Sequence, residues 1–246
     1  VSIVSIPLSK TGDNMKNIQF RFKRPVAALA SAALLALCAS AQAVPTLESG
    51  DAGQTIATAQ LSAGGAPITA LRGTLLSSSA NDYADIFRVY LYAGAAFSAT
   101  TTGSPIAFNN FDTSLFLFNS AGVGVVANDD DPNVGPTSSI TNFSAAANGF
   151  YYLAIAGSGY TPVSLAGAIF GNLLGEDQVG PTGPGGAQAL SGWSSTSNEG
   201  DAYEILLSNA FAGPREVVVD VPEPGSLLLA GLGLSALVAS RRRKAV

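Results

Sequence analysis

The sequence predicts an all-β body, a jelly-roll-like antiparallel β-sandwich, flanked by an N-terminal signal helix and a C-terminal transmembrane helix. Three observations lead there. Apolar residues alternate with period two over several short runs between Asp85 and Leu207. The chain is rich in Gly, Ala, Ser and Thr and poor in Lys and Glu, a composition unsuited to long soluble helices. Two longer apolar stretches lie near the ends, from Val26 to Ala39 and from Gly225 to Ser240.

From Met15, the one methionine, runs a basic segment holding Lys16, Arg21, Lys23 and Arg24. The apolar stretch follows, then Ala41-Gln42-Ala43. A charged start, an apolar middle and an A-x-A site describe a secretory signal peptide over 15–43, with cleavage between Ala43 and Val44. Residues 1–14 then lie upstream of the start codon. Cys38 does not form a lipobox, because Leu37 stands where that motif needs a small residue. Once the leader is removed no cysteine remains, which excludes disulfides and thiolate metal sites.

The body is expected over 44–220. Its first clear strand spans Asp85–Tyr92, with Phe87, Val89 and Leu91 on one face and Ile86, Arg88, Tyr90 and Tyr92 on the other. Leu115 and Leu117 alternate with Phe116 and Phe118, and Ala121-Gly122 turns the chain before a strand at Val123–Ala127. Asn148-Gly149 marks another turn, ahead of Tyr151, Leu153 and Ile155 alternating with Tyr152 and Ala154. Tyr203, Ile205 and Leu207 repeat the pattern, and Val217–Val219 adds a last strand. Several of these strands are apolar on both faces, so they are expected to be covered on two sides. Many short strands in one domain suggest a sandwich of jelly-roll type. The Gly-, Pro- and Ser-rich stretch from Val179 to Ser197 reads as a long loop.

Charge narrows the function. Between Val44 and Asp220 fifteen acids stand against Arg72, Arg88 and Arg215, a net charge of −12. Such a surface repels nucleic acid and attracts cations. The sequence holds no histidine, so a Ser-His-Asp triad, an imidazole base and imidazole zinc sites are excluded. No phosphate-binding or dinucleotide fingerprint occurs. A carboxylate pair working on glycosides stays open as the least favoured reading, since separation is not legible in sequence. Trp193, Tyr160 and Tyr203 either offer a platform for sugar stacking or pack the core.

At residues 221–246 come Val221, Pro222, Glu223 and Pro224, then the apolar Gly225–Ser240, then Arg241, Arg242, Arg243 and Lys244. The prolines keep Glu223 extended and outside any helix. Sixteen residues make about 24 Å of helix, enough to span a membrane with local thinning, and the basic cluster stays cytoplasmic. This order resembles the PEP-CTERM sorting signal of Gram-negative bacteria that make extracellular polysaccharide. The resemblance implies handling by the secretion machinery and an exosortase, a membrane transpeptidase-like enzyme. It also implies an inner-membrane anchor with the body in the periplasm, then delivery to the cell surface or an exopolysaccharide matrix.

The body carries a second resemblance. Glu48-Ser-Gly-Asp51 opens it, and Arg72-Gly73-Thr74 follows. Next come Asn81-Asp82-Tyr83-Ala84-Asp85-Ile86-Phe87, Phe111-Asp112-Thr113-Ser114-Leu115, Asn128-Asp129-Asp130 and Gly149-Phe150-Tyr151-Tyr152-Leu153. In this order they are similar to the bacterial pre-peptidase C-terminal (PPC) domain over roughly Glu48 to Gly157. That family is a jelly-roll-like sandwich, usually an accessory module beside a secreted enzyme, and some members bind calcium.

The residues themselves raise calcium too. Asn128, Asp129, Asp130 and Asp131 place four oxygen-bearing side chains in succession, and Asp112 precedes the same hairpin. Ca²⁺ takes six to eight hard oxygen ligands, and adjacent carboxylates repel unless a cation or solvent compensates. Asp82 and Asp85 are weaker candidates for the same ion. The alternative is a solvated loop in which Asp serves as turn former. The expected function is therefore an exported, non-catalytic surface or matrix protein. A Ca²⁺-dependent glycan- or protein-binding module is the alternative.

Overall fold

The computed structural model describes residues 44–75, 82–102, 112–133, 135–173, 175, 177–196 and 199–215, all within the unit Ala41–Val246. The expected signal and sorting helices, at 15–43 and 225–240, and the strand expected at Val217–Val219 lie outside them. The described residues form thirteen strands and no helix. In chain order these are β1 (Val44–Leu47), β2 (Gln60–Leu61), β3 (Pro67–Thr74), β4 (Ala84–Leu91), β5 (Ala96–Thr100), β6 (Thr113–Phe118) and β7 (Gly124–Asn128). They continue as β8 (Ser139–Ser144), β9 (Gly149–Gly157), β10 (Tyr160–Ser164), β11 (Gly167–Ala168), β12 (Gly192–Ser195) and β13 (Ala202–Phe211).

The strands build three layers. In the central layer β4 pairs with β9, β9 with β6 and β6 with β7, all antiparallel. A second layer runs through β1, β3, β13, β5 and β8. The long β13 joins these two layers, since its end at Phe211 pairs with Tyr90 of β4. Its register slips between Leu206 and Ala210, where Asn209 sits at φ 55° and donates to the Ala96 carbonyl at 2.7 Å. Asn tolerates this left-handed conformation, and the bulge lets one strand serve two partners. The third layer is the small sheet β11-β10-β12.

Side-chain alternation explains the layering. Leu115, Leu117, Leu153, Ile155, Phe87 and Val89 point into one core, where they meet Ile68, Leu71, Phe97, Ile140 and Ile205 of the second layer. The intervening residues Ile86, Phe116, Phe118, Ala154 and Ala156 point the other way, into a second core closed by Tyr160, Ile169 and Phe170. The central strands are thus buried on both faces, as their unbroken apolar runs require. Each fully buried large apolar side chain contributes about 1.5–3 kcal/mol.

The structure corrects the sequence reading in two respects. The sandwich is not wholly antiparallel, because β1 runs parallel to β3 and β2 parallel to β4. The stretch from Val179 to Ser197 is not only a loop: it contains β12, and Val179 exchanges backbone hydrogen bonds of 2.9 and 2.8 Å with Ala127. That contact covers the free edge of β7, which would otherwise present unpaired donors and acceptors.

The third layer makes a testable contribution. Phe170 packs 5.6 Å from Phe116 and 6.1 Å from Phe118, ring centre to ring centre. Phe170→Ala should cost about 3–5 kcal/mol in urea unfolding. A loss below about 1 kcal/mol would show that this layer does not belong to the cooperative core.

Candidate functional site

Where β1 ends, the chain loops across the start of β4. Glu48 extends the β1–β3 ladder by donating its N–H to the Arg72 carbonyl at 2.7 Å. Its carboxylate accepts the Ala52 N–H at 3.0 Å and the Thr74 N–H at 2.9 Å. Asp51 closes a tight turn by accepting the Gly53 N–H at 2.7 Å, with Gly53 at φ 70°. The Gly53 carbonyl then accepts from Ile86 at 3.1 Å, which pins this loop beside Asp85.

Asp85 is an acid on the inward face of β4, the face that carries Phe87 and Val89. It is 0% exposed. The Tyr203 hydroxyl donates to its Oδ2 at 2.6 Å, while its Oδ1 is buried without a partner. Glu48, Asp51 and Asp85 each offer a carboxylate oxygen, and these atoms lie within 4.8 Å of one another. Burial pushes Asp85 up to about 8; the Tyr203 hydrogen bond opposes this, and the charges of Glu48, Asp82 and Asp51 add to it. Burial and the Asp85 carboxylate likewise hold the Tyr203 phenol far above its ordinary range. A β-carbon at Gly73 would collide with the Tyr203 hydroxyl and the Glu48 carboxylate, so glycine allows this close approach.

These residues fit a hard divalent cation. Calcium–oxygen distances of about 2.3–2.6 Å place opposite ligands roughly 5 Å apart, so three oxygens within 4.8 Å suit one ion. The orphaned Asp85 Oδ1 is the group such an ion would satisfy.

The residues singled out from sequence are divided by the structure. Asn128 is a buried latch: its side-chain amide donates to the Asp130 carbonyl at 2.9 Å, and its Oδ1 accepts the Ser139 N–H at 2.6 Å. Asp131 builds a turn, accepting the Asn133 N–H at 2.9 Å and the Thr102 hydroxyl at 3.2 Å. Asp129 is buried and accepts the Ser114 hydroxyl. Burial foremost raises both Asp112, to about 6, and Asp129, and the Asp129 and Asp130 charges act on Asp112. Asp112 and Asp129 therefore each lie near like charge, whereas Asn128 and Asp131 spend their oxygens on hydrogen bonds to neighbouring segments. Among the described residues, the acids whose oxygens converge are Glu48, Asp51 and Asp85.

The sugar platform is not formed. Tyr160 and Tyr203 are buried, at 1% and 2% exposure. Trp193 stands edge-on to Phe116 at 5.4 Å and donates to the Gln54 carbonyl at 2.8 Å. All three hold layers together.

The sorting residues Val221, Pro222, Glu223, Pro224 and Arg241 to Lys244 lie outside the described residues, as do Ala41 and Ala43, while Val44 opens β1. Residues 220–244 match the PEP-CTERM protein-sorting motif. The chain carries a PEP-CTERM sorting signal. The signal marks an exported protein that transits the membrane and is sorted by an exosortase. No curated protein matches the chain. Among the described residues no helix is long and apolar enough to cross a membrane.

Proposed function

We propose that this is a non-catalytic protein of the cell surface or the exopolysaccharide matrix, delivered by its PEP-CTERM signal, with a calcium-stabilised β-sandwich as its exported body. The observation that carries the reading is the sorting motif at 220–244. Signal peptidase frees Val44, the apolar segment 225–240 holds the protein in the inner membrane with its body in the periplasm, and exosortase cuts near Pro222–Pro224. Two facts favour a non-catalytic role. The sequence has no histidine. Among the described residues the carboxyl that burial raises furthest, Asp85, is 0% exposed.

The body is read as a jelly-roll of the PPC kind, a reading supported by its layered β-architecture and by the Glu48–Asp51 and Asp82–Asp85 segments. This reading puts calcium at Glu48, Asp51 and Asp85, and the buried, unpartnered Asp85 oxygen supports it. In this position the ion ties the segment that follows β1 to β4 and β13. A Ca²⁺-dependent binding module is the second reading, favoured by this same convergence of acids.

Intact-mass measurement on envelope and secreted fractions tests the delivery. The expected species begins at Val44 and ends near Pro222–Pro224 in cells that hold an exosortase. Retention of Arg241–Lys244 on every extracellular copy would overturn sorting and leave simple anchorage.

A further inference from the structure

The outer face of β4 and β9 is only partly covered by the third layer. Ile86, Ala154 and Ala156 lie beneath it, but farther along the strands Arg88, Tyr90, Tyr92 and Phe150 remain half-buried. Tyr90 pairs across the ladder with Phe150 on one side and with Phe211 of β13 on the other. The rings form a continuous edge-to-face run: Phe150 to Tyr90 at 5.2 Å, Tyr90 to Tyr92 at 5.1 Å, and Tyr92 to Phe211 at 5.1 Å. An arginine caps each end. The Arg88 guanidinium lies 4.3 Å from the Phe150 ring centre, and that of Arg215 lies 4.3 Å from Phe211. Leu61, 60% exposed, pairs with Arg88 from β2 and lengthens the strip.

The charge of this strip sets it apart. The body has three arginines, and Arg72 is neutralised by Glu204 at 2.5 Å. Arg88 and Arg215 make no ion pair among the described residues, and Arg88 Nε is buried without a hydrogen-bond partner. The two arginines that make no ion pair among the described residues therefore sit on one aromatic strip. Guanidinium groups held over rings are restricted in place, so less entropy is lost when their N–H groups bind a carboxylate. Aromatic surface beside them suits the C–H faces of pyranose rings.

We infer that this strip docks a carboxylated polysaccharide, a uronate polymer whose acid groups bridge Arg88 and Arg215 while its rings lie along Tyr92 and Tyr90. The inference deepens the matrix reading by naming the chemistry of the polymer and the face that meets it. Repulsion from acids farther away than about 8 Å is screened at physiological ionic strength.

The test uses full-length protein in mild detergent, with chelator present so that calcium cannot bridge carboxylates to the acidic surface. Retention on polygalacturonate is compared with retention on neutral dextran and on poly-glutamate. Wild type is expected to bind polygalacturonate at least ~10-fold more tightly than the other two, with affinity falling as salt rises. Arg88→Gln/Arg215→Gln should lose at least ~10-fold, and Tyr92→Ala should weaken binding at unchanged salt dependence. Should the double variant fail to fold, Arg215→Gln alone, at an exposed position beyond β13, gives the same comparison. No retention of polygalacturonate, equal retention of dextran or poly-glutamate, or undiminished binding by the arginine variants would each overturn the inference. Because binding is read on purified protein, its failure leaves tail processing untouched, and failed processing leaves binding untouched.

Discussion

Leu153→Asp is expected to leave the exported body unfolded. Leu153 is 0% exposed, in the middle of β9, and pairs with Phe87 on one side and Leu117 on the other. All three residues belong to the core between the first two layers. A carboxylate there lies within the apolar core, so it must stay charged in an apolar medium or take up a proton, and either costs several kcal/mol beyond the lost leucine. Domains of this size are stable by only about 5–15 kcal/mol, so one such change consumes most of the margin. Leu165→Asp is the control. Leu165 is 93% exposed, and its replacement should shift stability by no more than about 0.5 kcal/mol. Circular dichroism and urea titration of both variants decide the matter. A Leu153→Asp protein that kept wild-type cooperative unfolding would refute the three-layer core.

Calcium is expected to raise the melting temperature, and to do so more strongly as pH rises. In chelator, burial lets folded Asp85 hold its proton up to about pH 8, whereas the unfolded chain releases it near 3.8. The folded state therefore binds the extra proton between those values. The stability this provides is complete below the unfolded pKa and is lost as pH climbs through about 8. Glu48, Asp51 and Asp82 oppose ionisation, so without a cation the protein should be less stable at pH 8 than at pH 5. An ion among Glu48, Asp51 and Asp85 competes with that proton and reverses the trend. At a concentration 100 times Kd the gain is about 2.7 kcal/mol, or roughly 5–10 °C for a body of this length.

Asp85→Asn separates this mechanism from charge screening. It should abolish the calcium response and reduce the loss of stability between pH 5 and pH 8, leaving the part owed to Asp112 and Asp129, and in chelator at pH 8 it should melt above wild type. Asp130→Asn, in the loop that sequence favoured, should leave the calcium response intact. Differential scanning fluorimetry across pH, with Ca²⁺, Mg²⁺ and chelator, reads all of these. A calcium shift that survived in Asp85→Asn, or one matched by Mg²⁺, would assign the effect to the acidic surface as a whole.

Much of the architecture was written in local pattern. The alternation of Leu115 and Leu117 with Phe116 and Phe118 states that both faces of that strand are covered, and each set enters a different core. Period two depends only on neighbouring residues, so a strand and its faces can be read without knowing its partners. The tail is equally local: a Pro-Glu-Pro turn, an apolar segment and four basic residues carry their address in order, and the sorting motif matches there. Asp85 left a trace as well, as an acid in phase with Phe87 and Val89 on an apolar strand face.

Its convergence with its partners left none. Glu48 comes from the end of β1, Asp51 from the following turn, Asp85 from β4 and Tyr203 from β13, and no spacing rule links them. The same holds for the arginine–aromatic strip, gathered from β4, β9 and the end of β13. Conversely, the Asn128–Asp131 run looked like a site because its oxygens are adjacent in sequence, yet Asn128 and Asp131 spend them on nearby donors within the fold. Adjacent residues on an extended chain point to opposite faces, whereas residues from strands paired in register share one. Convergence of charge is therefore a property of register and layer packing, which only long-range burial of the two cores sets.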